Sequence, residues 1–107
     1  MSREKQISRE VHNRLYKVWD NMKSRCYNAK HKSFHRYGGR GITICDEWKT
    51  NFGAFEKWAL ESGYDGNAKQ GQCTLDRIDN DKGYSPENCQ WISNRENCNK
   101  TNFNLMY

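Results

Sequence analysis

Residues 73–102 read CTLDRIDNDKGYSPENCQWISNRENCNKTN and carry the clearest structural signal in the chain. The stretches CTLDRI and CQWI are β-prone, and the DNDKGYSPEN between them is rich in turn residues, which predicts a hairpin with a long loop. Ser93 is followed three residues later by Glu96, the spacing of a capping box, so a short helix is expected straight after the second strand. The predicted order is therefore strand, strand, helix.

Upstream of this segment the pattern is helical. Residues 9–27 carry apolar side chains at spacings of three and four, which predicts one face of a helix. These are Val11, Leu15, Val18, Trp19, Met22 and Cys26. Phe34 and Tyr37 predict a short helical turn that ends at a run of glycines, and ITICDEW at 42–48 predicts a β-prone stretch. A second helix is expected from Asn51 to the Ser-Gly pair at 62–63.

The segment 73–102 resembles the ββα-metal motif of HNH endonucleases, in which a strand carboxylate and a helix Asn or His bind one divalent ion and a loop Asn braces the hairpin. The resemblance implies that Asp76 and Asn97 are ligands of Mg²⁺ or Mn²⁺ and that Asn88 is the brace. The upstream pattern RCYN…YGGRGITICDEW is similar to small HNH-related proteins of bacteriophages and prophages, which extends the likeness over residues 15–100. It implies a protein of the bacterial host's cytoplasm, encoded by a phage or prophage.

One position departs from this motif. The residue after the strand Asp is normally a His that deprotonates the attacking water, and here it is Arg77. A guanidinium stays protonated and cannot take that proton, but it can clamp a phosphate or stabilise the transition state. The run DRIDNDKGYSPEN is similar to a rare-cutting HNH restriction enzyme in which Asp-Arg replaces Asp-His and a tyrosine assists, which implies that role for Tyr37 or Tyr84. The alternative is a binding scaffold that does not cleave.

Length and hydropathy predict one small α+β domain with a thin core. The chain has 107 residues, 35% of them hydrophobic, which excludes a second independent core. We expect a tail at 1–8, helices at 9–70, the hairpin-helix motif at 71–102 and a tail at 103–107. No apolar run reaches the length of a membrane span and the N-terminus has no hydrophobic signal segment, so an intracellular protein with no membrane partner is expected.

Five cysteines and three histidines make zinc the expected structural cofactor, because small domains with thin cores commonly recruit a metal. No C-x-x-C pair is present, so the ligands would have to come from separate elements and fasten the N-terminal helices to the hairpin. The predicted ligands are Cys26, His31, Cys45 and Cys89. Cys73 and His35 are alternatives to His31, and Cys98 is expected not to bind. For each cysteine alone, a buried free thiol remains the competing interpretation.

The net charge is +5 and is unevenly spread. Residues 1–40 carry +8 and the remainder −3, which favours DNA as a partner of the N-terminal part. Within the loop Tyr37-Gly-Gly-Arg40-Gly, backbone amides can approach an anion, and Arg36, Tyr37 and Arg40 are the candidate DNA contacts. A glycine-rich chain reversal on a solvated surface is the competing interpretation.

Three functions are compatible with these patterns. The leading one is a DNA-directed, metal-dependent HNH-like endonuclease. A second is an inactive zinc-binding phage protein that inhibits a host Cas-type nuclease, an anti-CRISPR, by docking the acidic turn of Asp79, Asp81 and Glu87 into a basic groove. A third is a DNA-binding accessory factor without cleavage.

Overall fold

The computed structural model of the chain describes residues 8–69 and 72–93. The first helix, α1, spans Arg9–Tyr27, as the apolar spacing predicts. It begins at Ser8, whose hydroxyl accepts a hydrogen bond from the amide of Val11 at 3.1 Å, so one orphan donor of the first turn is satisfied. Its buried face consists of Leu15, Trp19, Met22 and Cys26. Ser8, expected in the N-terminal tail, is thus part of the helix cap.

The second long helix, α3, spans Phe52–Glu61 and packs against α1. The Asn51 side chain caps it by accepting from the amide of Ala54 at 3.1 Å, which confirms the helix predicted from residue 51. A four-residue helix, α2 (Asp46–Lys49), precedes it and contributes the fully buried Trp48. The Trp48 ring lies 5.0 Å from that of Phe55, and its carbonyl accepts from the indole of Trp19 at 2.7 Å. Trp48 therefore joins the three helices, through ring packing on α3 and a hydrogen bond from α1 to its backbone carbonyl.

The segment between α1 and α2 differs from the sequence prediction. The glycines do not end the turn: two 3-10 helices follow one another, Phe34–Arg36 and Gly38–Arg40. A Cβ at Gly38 would lie 2.1 Å from the Cys26 carbonyl oxygen, so glycine is required where this loop crosses the end of α1.

The β-prone interpretation of residues 42–48 is also wrong for most of that stretch. Only Ile44 pairs, in an isolated parallel bridge with Tyr84, and the chain then turns into α2. The acidic pair Asp46 and Glu47 lies in the first turn of that helix, where the helix dipole favours negative charge.

The C-terminal hairpin forms as predicted. Strand β1 spans Thr74–Arg77, strand β2 spans Cys89–Ile92, and they pair antiparallel. The opposed pairs are Thr74 with Ile92, Leu75 with Trp91, Asp76 with Gln90, and Arg77 with Cys89. The chain is therefore an α+β protein with helices and a two-stranded antiparallel sheet.

Alternation along the strands gives the hairpin two faces. The inner face, Leu75, Arg77, Cys89 and Trp91, packs on the core, where the Trp91 ring lies 5.6 Å from Trp58 and 4.9 Å from Tyr64. The outer face consists of Thr74, Asp76, Gln90 and Ile92. The short helix expected after Ser93, with Asn97 and Cys98, lies outside the described residues. Within the described ranges, the helices include none whose length and apolarity suit a membrane crossing.

Candidate functional site

The candidate ion ligand Asp76 lies on the outer face of the hairpin and is half-buried. Its cross-strand neighbour is Gln90, whose side-chain nitrogen Nε2 donates to Asp76 Oδ2 at 2.9 Å. The carboxylate is thus held by a side chain on the opposite strand. The second ligand that the resemblance implies, Asn97, falls outside the described residues.

Asn88 is buried at the end of the hairpin loop and makes three side-chain hydrogen bonds. Its Oδ1 accepts from the amide of Asp79 at 2.8 Å, and its Nδ2 donates to the carbonyls of Asp79 and Gly83 at 3.1 and 2.9 Å. The amide of Ile78 also donates to the Asn88 carbonyl at 2.7 Å. One side chain therefore ties both arms of the loop together and fixes the loop just beyond Asp76.

Arg77 lies on the face opposite Asp76 and is only 9% exposed. Its Nη1 donates to the carbonyls of Asn80 and Lys82 at 2.6 and 2.8 Å. Its guanidinium carbon lies 5.1 Å from the ring centre of Tyr37 and 5.4 Å from that of Tyr84. These contacts give Arg77 a structural part in shaping the loop from inside, and the phosphate-clamping part implied by the resemblance stays a prediction.

Four side chains form what we term the arginine–tyrosine cluster: Arg25, Tyr37, Arg77 and Tyr84. The two tyrosine rings are almost parallel, with an interplanar angle of 19° and centres 6.4 Å apart. Arg25 lies over Tyr37 and donates to the Tyr84 hydroxyl at 3.4 Å. Burial raises the pKa of the Tyr84 phenol, and the bond from Arg25 opposes that rise. The Tyr84 hydroxyl is consequently protonated at neutral pH.

The candidate DNA contact Arg40 is held against the hairpin loop. Its Nε donates to the carbonyl of Arg36 at 2.9 Å and its Nη2 to that of Asn80 at 2.7 Å. Its Nη1 forms an ion pair with Asp81 at 3.1 Å, with side-chain exposures of 41% and 85%. The structure therefore places the candidate basic contact and the acidic turn side by side, a pairing that charge counting along the sequence cannot detect.

The predicted zinc ligands occupy different environments. Cys26 and Cys89 are buried beside the core face of the hairpin, whereas Cys45 and His31 are half-buried. Burial raises the pKa of the Cys26 and Cys89 thiols to about 11 each, a rise that the nearby Arg77 cation opposes. Both thiols are therefore neutral at neutral pH when no metal is bound.

Two further candidate ligands, His31 and Cys73, already have hydrogen-bond partners. The ring nitrogen Nδ1 of His31 accepts from the amide of Ser33 at 3.0 Å, and the Cys73 sulfur accepts from the amide of Asp65 at 3.3 Å. His35 is exposed. Within residues 8–69 and 72–93, no three His, Cys, Asp or Glu side chains form a group that could hold a metal ion. The zinc site stays a prediction.

Metal analysis tests that prediction directly. If zinc fastens the helices to the hairpin, the full chain purified without added zinc should contain about one zinc per molecule by mass spectrometry, because structural zinc is bound tightly. Cys26→Ser should lose that zinc, because it removes a predicted ligand. Cys98→Ser is the control, since Cys98 is the cysteine that is expected not to bind, and it should leave the content unchanged. A zinc content of zero would show that Cys26 and Cys89 are ordinary buried thiols.

Comparison with family models, with curated proteins and with solved structures finds no match for this chain. The likeness of residues 73–102 to the ββα-metal motif is an interpretation of the sequence. The structural support for a functional site comes from the contacts of Asp76, Asn88, Arg40 and Arg77.

Proposed function

We propose that the protein binds DNA and hydrolyses a phosphodiester bond with one Mg²⁺ or Mn²⁺ ion held by Asp76 and Asn97. The observation that carries the proposal is the placement of Asp76. Its carboxylate lies on the outer face of a two-stranded hairpin, is held by Gln90, and is followed by a loop that Asn88 closes with three hydrogen bonds. A carboxylate held on a rigid element suits ion binding.

The chemistry of the donors fits a hard divalent cation. Mg²⁺ and Mn²⁺ prefer oxygen ligands, and Asp76 supplies an anionic oxygen while Asn97 supplies a neutral amide oxygen. A bound ion of this class would polarise the phosphoryl group and stabilise the leaving oxygen. The chain's own part is to orient the ion and the DNA backbone around Asp76.

The arginines supply positive charge close to the loop. Arg40 is more accessible than Arg77, because the Arg40 side chain is 41% exposed whereas Arg77 is buried. Its ion pair with Asp81 is exposed to solvent, and such a pair contributes at most about 1 kcal/mol. A DNA phosphate can therefore replace Asp81 as the partner of Arg40. Arg36, which is exposed one turn earlier, adds a second cation on the same loop.

A second function is favoured by a specific observation, the exposure of the acidic turn. Asp79, Asp81 and Glu87 are all exposed on the hairpin loop, and the usual catalytic His is replaced by the buried Arg77. This arrangement suits a zinc-binding anti-CRISPR protein that inhibits a Cas-type nuclease by occupying its nucleic-acid groove. A DNA-binding factor without cleavage is the outcome if the wild-type chain binds DNA but does not nick it.

Opposite changes at the Arg40–Asp81 pair separate DNA from a protein partner. Removing both cations with Arg36→Ala and Arg40→Ala should weaken duplex binding and reduce the slope of log K against log salt by about one per lost phosphate contact. Asp81→Asn should strengthen duplex binding, because it removes the competing carboxylate. Fluorescence anisotropy over a salt series measures both effects.

Glu61→Gln is the matched control, because it removes one exposed negative charge at the end of α3, outside the Arg40–Asp81 pair. It should raise DNA affinity less than Asp81→Asn. If Asp81→Asn leaves DNA binding unchanged and instead abolishes co-purification with a Cas-type nuclease, the inhibitor function is correct and the DNA function is wrong.

A further inference from the structure

We infer that Gln90 is a positioning residue for the ion-binding carboxylate of Asp76. The inference rests on the proposed function and deepens it, because it adds a positioning residue to the ion site of Asp76 and Asn97. Sequence patterns give no sign of it, since Gln90 looks like one polar residue in a β-prone stretch. The register of the hairpin brings it opposite Asp76.

The geometry is that of a directly opposed pair. Asp76 and Gln90 face each other across the antiparallel ladder, and the Nε2 to Oδ2 distance is 2.9 Å, a normal length for this type of bond. Both side chains are half-buried. The bond therefore joins two strands that are already paired in register, and it restrains the orientation of the Asp76 carboxylate.

The chemical character of Gln90 suits this part. Hydrogen bonds to a metal-binding carboxylate fix its orientation, and losing such an outer partner typically costs about 10- to 100-fold in metal affinity or activity. A Lys or Arg at this position would also donate to Asp76, but its charge would repel the divalent ion. A neutral amide orients the carboxylate without placing a positive charge beside the ion.

The neighbouring pair on the same face provides a matched control. Thr74 lies opposite Ile92, one pair along the outer face, and its hydroxyl donates to the Ile92 carbonyl at 2.9 Å. Thr74→Val removes a hydrogen bond of similar length from the same face without touching Asp76. A general loss of hairpin stability would appear in both variants, whereas a loss of ion orientation would appear only at Gln90.

The test is calorimetric titration of the full chain with Mn²⁺, without DNA. The Gln90→Leu variant should bind Mn²⁺ about 10- to 100-fold more weakly than the wild type. Gln90→Lys should bind more weakly still, because it keeps a donor but adds a positive charge. Thr74→Val should bind like the wild type. Circular dichroism checks that each variant is folded. If a Gln90 variant is unfolded, Gln90→Met replaces it, because methionine keeps the length of the side chain but lacks the amide.

The Asp76→Ala variant distinguishes a failure of the ion site from a failure of the part assigned to Gln90. If it loses Mn²⁺ binding while Gln90→Leu and Gln90→Lys keep wild-type affinity, the part assigned to Gln90 is wrong and the ion site stands. If Asp76→Ala binds Mn²⁺ as tightly as the wild type, the ion site and the part assigned to Gln90 are both wrong. A lower melting temperature for Gln90→Leu at unchanged Mn²⁺ affinity would show that the hydrogen bond from Gln90 to Asp76 stabilises the hairpin and does not affect the ion.

Discussion

Replacing Asp76 with Ala is expected to abolish metal-dependent nicking of plasmid DNA while the protein stays folded. The side chain is only half-buried and lies on the outer face of the hairpin, so its removal leaves no large cavity in the core. It does remove the one anionic ligand that the proposal assigns to the ion. Because a metal ion contributes several kcal/mol to transition-state stabilisation, the rate should fall by at least about 1000-fold.

Asp20→Ala is the control for the loss of one acidic group, because Asp20 is exposed on α1. It should nick plasmid at the wild-type rate. Gel analysis of supercoiled and open-circular plasmid over time measures both variants in Mg²⁺ and in Mn²⁺. Nicking by Asp76→Ala at the wild-type rate would show that the ion, if there is one, is bound elsewhere.

Asn88→Ala should destabilise the protein by about 2–4 kcal/mol. A buried polar group left without its hydrogen bond costs about 1–3 kcal/mol, and the Asn88 side chain bonds to three backbone groups. The change leaves the amide of Asp79 and the carbonyl of Gly83 without their side-chain partner. The loop after Asp76 would then lose its closure, so nicking should fall as well. Urea denaturation followed by tryptophan fluorescence measures the free energy of unfolding.

Asn80 provides a control of the same residue type in the same loop. Asn80 is exposed, and the bonds it accepts from Arg40 and Arg77 go to its backbone carbonyl, which Asn80→Ala retains. We expect a change of less than about 0.5 kcal/mol, as is usual for surface substitutions. Equal stabilities for Asn88→Ala and Asn80→Ala would contradict the bracing function of Asn88.

Local patterns in the sequence were sufficient to predict the long elements. The apolar spacing of residues 9–27 and of the helix that starts after Asn51 repeats over several turns, and each helix has a side-chain cap at its start. The hairpin was predictable because two β-prone stretches flank a loop rich in Asp, Asn, Gly and Pro. In both cases the signal lies in one continuous stretch of sequence and needs no distant partner.

Residues 42–48 were not predictable in this way. Their β-branched residues favour a strand, but the chain leaves the extended conformation after Cys45, where α2 begins, and Trp48 is buried against α3. That burial depends on Phe55 and Trp58, which lie on another element. Tertiary packing of one tryptophan therefore outweighs local propensity here.

The candidate site was predictable in part. Motif resemblance points to Asp76 and Asn88 from sequence alone, and the structure places both at the hairpin. The resemblance does not reveal that Arg77 faces inward. Strand alternation does imply that Asp76 and Arg77 lie on opposite faces of the hairpin. The Asp76–Gln90 pair depends on the register of the hairpin, and the Arg40–Asp81 pair depends on how the loops pack. Neither can be predicted by counting charges along the sequence.

Plasmid nicking by the wild-type protein is the direct test of whether this chain cleaves DNA with a divalent ion. Supercoiled plasmid incubated with the full chain should convert to open circles in Mg²⁺ or Mn²⁺, and excess EDTA should stop the conversion. Plasmid that remains supercoiled in both metals, at protein concentrations that saturate DNA binding, would contradict DNA cleavage by this chain.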